Sequence, residues 1–242
     1  MRKRTEVLTK RAWAMLSFAI MPFTLLDPLR ASAEESPFEP EIRFFEEADR
    51  VSPPAPGGIL LYGSSSIRLW DLAASFPDIR LVNRGFGGST ISDCIRYAPR
   101  VVFPHNPRLI VFYAGDNDTA GGVSAASACQ DFKTFAEVIH QELPDTRILF
   151  IAIKPSIARA KFREVQSEAN RLIREFIATD SRLSYLDVFS PMLGPEGRPR
   201  GELFVADGLH LSRAGYQLWT DLLRPHLKQS IPKPTDLDGG NK

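Results

Sequence analysis

The chain has 242 residues, 43% of them apolar and 24% charged, a balance that supports a sizeable core without staples. Residues 1–33 hold six Lys/Arg and two acids, which leaves 24 basic against 27 acidic residues, net −3, in the remainder. That mildly acidic remainder gives no support for nucleic-acid binding, which usually needs a basic face.

The first predicted element is an export signal. "MRKRTEVLTKR" is basic, the stretch from Ala12 to Leu26 carries no charge, and Ala31-Ser32-Ala33 has the small-x-small form of a cleavage site. The apolar run is short for a membrane span and Pro22 interrupts it. Residues 1–33 are therefore expected to be a secretory signal peptide cleaved after Ala33, and the protein to be exported, periplasmic or secreted. No cysteine near that site offers a lipid attachment point. Residues 34–57 follow as a lead-in, with Ile42, Phe45 and Ala48 on one helical face and Pro53, Pro54 and Pro56 ending the helix.

From residue 58 on, strand and helix patterns alternate. "GILLYG" (58–63), "IRLVNRG" (79–85), "RLIVFYAG" (108–115), "RILFIAI" (147–153) and "LSYLDVF" (183–189) are candidate strands. Ala128, Phe132, Phe135 and Ile139 repeat at helical spacing, as do Phe162, Val165, Ala169, Leu172 and Phe176. A last helix is expected over 212–227, and the tail 229–242 is expected to be disordered. Alternating strands and helices predict an α/β fold: a parallel sheet with helices on both faces, in one domain over 58–228. In such sheets ligands sit beyond the C-terminal strand ends.

The strand ends carry the chemistry. The first delivers Gly63-Ser64-Ser65-Ser66, the second "NRGFGGST" (83–90), the third "GDND" (115–118), and after the fifth comes "FVADGLHLS" with Asp207 and His210 three residues apart. A serine nucleophile needs a base, the base an orienting carboxylate, and the oxyanion needs donors. Taken singly, each block has a plainer reading: a helix cap, a tight glycine turn, an Asx turn, a capping pair. His105, His140 and His226 have no acidic partner at useful spacing and read as surface residues. The two cysteines and the scattered histidines lack metal-ligand spacing, so neither a metal nor a cofactor is implied.

In their order the four blocks, spread over residues 58–226, resemble those of the SGNH hydrolases, also called GDSL-type esterases and lipases. The resemblance implies a three-layer, flavodoxin-like five-stranded parallel sheet of order 2-1-3-4-5. It implies Ser65, His210 and Asp207 as a catalytic triad, and the Ser65 and Gly88 N–H groups with the Asn117 amide as an oxyanion hole. Gly115 and Asp118 complete the third block in support. Ser64 stands where the family usually has Asp, a supporting position outside the triad. The implied reaction is hydrolysis of carboxylic esters, with short acyl groups favoured because no lid or long channel is evident. A lysophospholipase or thioesterase, a glycan O-acetyl esterase, or a non-catalytic binding domain on the same fold are the alternatives. The partner is then a small-molecule, glycan or lipid ester, with no nucleic acid and no integral membrane segment after cleavage. The same sheet order, with right-handed crossovers, sets the helices bearing Cys94 and Cys129 on one face, which makes the pair a candidate disulfide.

Overall fold

The computed structural model describes residues 36–230. The expected signal peptide, its cleavage site and the tail from 231 on lie outside the described residues. In chain order the elements are α1 (Glu39–Val51), β1 (Ile59–Gly63), α2 (Ser65–Arg68), α3 (Leu72–Ser75), β2 (Leu81–Gly85), α4 (Ile91–Val101), β3 (Leu109–Tyr113), α5 (Asp116–Ala120), α6 (Ala125–Glu142), β4 (Arg147–Ile151), α7 (Arg163–Ile177), β5 (Leu183–Leu186) and α8 (Arg213–Gln229). All five expected strands are present, each a little shorter than its apolar run.

The strands form one parallel sheet in the order β2-β1-β3-β4-β5. "ILLYG" and "LIVFY" become central strands because they are apolar at every position, and both are buried throughout. Their side chains alternate between two cores. Leu60, Tyr62, Ile110, Phe112 and Phe150 face α1, α4, α6 and α7, with Phe112 stacked on Phe135 at 4.0 Å between centroids. Leu61, Val111, Tyr113 and Leu149 face the other way, toward Trp70, Phe76 and the α8 residues Trp219, Leu223 and Leu227. The connection from β1 to β2 runs opposite to the later ones. Right-handed crossovers therefore put α2 and α3 on one face and α4, α6 and α7 on the other.

The register sets β1, β2 and β3 level at their C-terminal ends, with Gly63 beside both Gly85 and Tyr113. Gly63 has φ +135, and a Cβ there would stand 1.8 Å from the Tyr113 carbonyl oxygen. Only glycine lets the chain leave β1 at this point.

Several expectations are corrected. The helix over 163–177 buries Gln166, Ala169, Asn170, Ile173 and Ile177, a face turned from the one read off the apolar repeat. Asn170 is drawn inward because its amide accepts from Ile153 N at 2.8 Å and donates to Ile153 O at 2.9 Å, where β4 has ended. Ala48 is exposed, while its neighbour Asp49 pairs with Arg84 and lies 2.9 Å from His105 Nε2. His105 is thus buried, not on the surface, and its burial lowers the imidazole pKa. His140 is also largely covered, with Nε2 3.0 Å from the Thr146 carbonyl.

The candidate disulfide is not formed: Cys94 and Cys129 are both buried free thiols. They belong to the same core, as the topology implied. Sharing a core is not enough, because a disulfide needs the two Cβ atoms within about 4 Å of each other. The Cys94 thiol instead lies 3.9 Å from Ser89 Oγ, just ahead of its own helix, and burial pushes its pKa well up.

Candidate active site

The site starts where β1 ends. Ser64 N donates to Tyr113 O at 2.9 Å, which carries the ladder one residue past the strand, and Ser64 then caps α2 in an extended conformation. Successive side chains diverge at this turn. Ser64 and Ser66 point into the protein, 0% and 1% exposed, whereas Ser65 is only partly covered. The short helix is pinned from two sides. Tyr216 Oη of α8 donates to Ser66 O at 3.0 Å, and Asn83 Nδ2 of β2 donates to Ile67 O at 2.8 Å.

Ser65 Oγ lies 3.1 Å from His210 Nε2, and His210 Nδ1 lies 2.6 Å from Asp207 Oδ2. With Nδ1 protonated, His210 donates to the carboxylate and accepts from the serine hydroxyl. The other carboxylate oxygen, Asp207 Oδ1, accepts from the backbone N–H groups of Leu209 and His210 at 2.8 and 2.9 Å. The hydrogen bond from His210, helped by those two N–H groups, holds the Asp207 carboxyl down at about 2. Gly208 supplies the turn between them with φ +65. That turn is braced from the segment after β4, where Ala158 N donates to Gly208 O at 3.0 Å.

Asn117 and Gly88 occupy the ends of the adjacent strands. Gly88 has φ +84 with open space at its Cβ position. Ser89 Oγ donates to Phe86 O at 3.0 Å and closes that turn. Asn117 Nδ2 donates to Ser89 O at 2.9 Å, which brings the Asn117 amide alongside the Gly88 loop. Gly115 has φ +111 and packs so closely that a Cβ would stand 2.6 Å from Ile153 Cδ1. Asp118 Oδ1 accepts from Ile91 N at 3.0 Å and ties the loop to the first turn of α4. Burial raises the Asp118 carboxyl to about 6, against the opposing effect of that N–H.

Three residues near this site were not singled out in the sequence. Asp116, the variable position of "GDND", is 5% exposed and bonded to Lys154 Nζ at 2.9 Å, with Arg159 Nη1 at 3.1 Å. Burial pushes the Asp116 carboxyl up, but the charges of Lys154 and Arg159 outweigh it and hold it below the usual range. Arg159 Nη2 also donates to Asn117 Oδ1 at 2.8 Å. The only sequence signal was a lysine directly after an apolar strand, in "FIAIKPS". The described residues contain no group of three or more His, Cys, Asp or Glu side chains able to hold a metal.

The arrangement can activate a serine hydroxyl, hold an imidazole in one tautomer and present an amide beside a glycine turn. Residues 62–218 match the model described as the GDSL-like Lipase/Acylhydrolase family. No curated protein sequence gives a significant match. Solved structures of similar fold include a protein from Streptococcus pneumoniae named for platelet activating factor, at 22% identity and TM-score 0.70, covering 78% of this chain and 92% of that one. A GDSL-like lipase from Bacteroides thetaiotaomicron matches at 16% identity and TM-score 0.65, covering 78% and 98%. An acetyl esterase mutant crystallised with an acetate ion matches at 16% identity and TM-score 0.60, covering 74% and 99%.

Proposed function

From the premise that this chain belongs to the GDSL-like lipase/acylhydrolase family, we propose that it is an exported serine esterase hydrolysing carboxylic esters of short acyl chain. The observation that carries this reading is the unbroken hydrogen-bonded chain from Ser65 Oγ through His210 to Asp207. His210 Nε2 takes the serine proton as Oγ attacks the ester carbonyl, and Asp207 stabilises the imidazolium that results. The tetrahedral oxyanion is met by the Ser65 and Gly88 N–H groups and the Asn117 amide. Collapse expels the alcohol with the proton from His210. Water activated by the same imidazole then hydrolyses the acyl-enzyme and frees Ser65.

One observation favours a second reading, a lysophospholipase or thioesterase. Ile157 and Val205 are each nearly half exposed. Val205 N bonds the His210 carbonyl, and Ile157 packs against Gly208, so both flank the turn that carries His210. They would offer an apolar rim to a longer chain. A p-nitrophenyl ester series on the purified protein tests both. Highest kcat/KM at acetate or butyrate supports the short-chain esterase, a maximum at eight carbons or more supports the second reading, and no turnover of any ester defeats both. Export rests on the basic leader, the uncharged run and the Ala31-Ser32-Ala33 site, and is tested by sequencing the N-terminus of protein recovered outside the cytoplasm.

A further inference from the structure

Building on the reading of Asn117 as an oxyanion donor, we propose that Arg159 is a positioning residue that fixes and polarises the Asn117 amide, with the buried Asp116–Lys154 pair as its anchor. A carboxamide is nearly symmetric in shape. A half-turn about its last bond would exchange nitrogen for oxygen and aim a carbonyl at the developing oxyanion. Two partners of opposite kind forbid the exchange here. Arg159 can only donate and holds Oδ1 at 2.8 Å, while the Ser89 carbonyl can only accept and holds Nδ2 at 2.9 Å. One N–H of the amide is left for the substrate oxygen. A cation on Oδ1 also draws electron density from the amide and makes that N–H a stronger donor.

The guanidinium is itself held. Nη1 lies 3.1 Å from Asp116 Oδ2, and the same oxygen accepts from Lys154 Nζ at 2.9 Å. Lys154 is 1% exposed and also donates to Tyr113 Oη at 3.2 Å. One carboxylate between two cations leaves the cluster one positive charge in excess, applied to the Oδ1 end of the Asn117 amide, opposite the N–H left for the oxyanion. The segment from Lys154 to Arg159 also touches the other half of the site, because Ala158 N holds the Gly208 carbonyl. A single loop after β4 thus reaches both the amide and the turn of His210.

A double-mutant cycle with p-nitrophenyl acetate tests this. Arg159→Gln should lower kcat about tenfold or more, the range for a hydrogen bond to a charged group, with KM changed less than about twofold. In an Asn117→Ala background the same substitution should cost less than about twofold, since its target is gone. The pH dependence of kcat/KM should keep its shape, because His210 is untouched. Arg159→Lys, which keeps the charge beside Asp116 without the planar fork, should retain part of the lost rate. If Arg159→Gln does not fold, Arg159→Lys carries the same cycle. Equal losses in both backgrounds, or a raised KM at unchanged kcat, would overturn the proposal. An Asn117→Ala protein with normal kcat would overturn the oxyanion reading itself, and the proposal with it.

Discussion

Each half of the candidate site rests on a carboxylate beside a cationic or basic side chain, yet the two halves are built differently. On the acid–base side, Asp207 and His210 stand three residues apart in one turn, with side chains 47% and 30% exposed. On the oxyanion side, Asp116 and Lys154 are 5% and 1% exposed and come from different strand ends. An exposed pair of this kind adds little to stability, about 0–1 kcal/mol. A buried pair that loses one partner leaves an uncompensated charge, at a cost of about 3–5 kcal/mol. The acid–base half should therefore be separable from the fold, whereas the oxyanion half should serve chemistry and folding together.

The largest expected effect tests the separable half. Ser65→Ala should lower kcat/KM by about 10³-fold or more, with a melting temperature within about 2 °C of the parent. Ser64→Ala and Ser66→Ala, whose hydroxyls point inward, should retain turnover. A dead Ser64→Ala protein that still folds would move the nucleophile by one residue. Asp207, held at about 2, stays charged across the working range and should add no proton of its own to the acid limb of kcat/KM. A profile flat from pH 8 to 5 would remove His210 as the base.

Asn117→Ala should come next, lowering kcat by about 10²–10³ with little change in KM. An effect confined to KM would leave Asn117 a loop residue. Lys154→Met probes the buried half directly. It should lose about 3 kcal/mol in urea unfolding, since Asp116 would keep only Arg159 as its counter-charge. A loss below about 1 kcal/mol would erase the contrast between the two halves.

The smallest expected effect concerns Asp118. Its carboxyl titrates at about 6 in the folded protein, above its ordinary value of 3.8, so the native state holds this proton longer than the unfolded chain. Its contribution to stability must then fall as pH rises from about 4 to about 6, by on the order of 2 kcal/mol. Asp118→Asn keeps an oxygen for Ile91 N and cannot titrate, so the difference in unfolding free energy between the two proteins should change across that interval. Parallel stability curves from pH 4 to 7 would contradict it.

The same contrast decides what could be read before the structure. Apolar runs of β length announce the central strands β1, β3 and β4, because the middle of a parallel sheet is buried on both faces. The edge strands β2 and β5 admit polar residues such as Asn83, Arg84 and Ser184. Asp207 and His210 are legible because their pairing is local and needs only one turn of chain. The four blocks at successive strand ends resemble a known family for the same reason: each is a short turn whose shape its own residues set. Tertiary structure alone decided the rest. Ser65 stands apart from Ser64 and Ser66 only once α2 is docked and two of the three hydroxyls are buried. His105 came to lie beside Asp49 of α1 through packing of segments far apart in sequence, and the side on which Cys94 faces, toward the nearby Ser89, follows from how α4 lies on the core. Asp116, Lys154 and Arg159 carry no spacing signal, because they meet across the ends of β3 and β4. Which distant side chains touch depends on how each helix is rotated against the sheet. The apolar repeat over 162–176 gave that rotation only approximately, and a small error in it exchanges one set of partners for another.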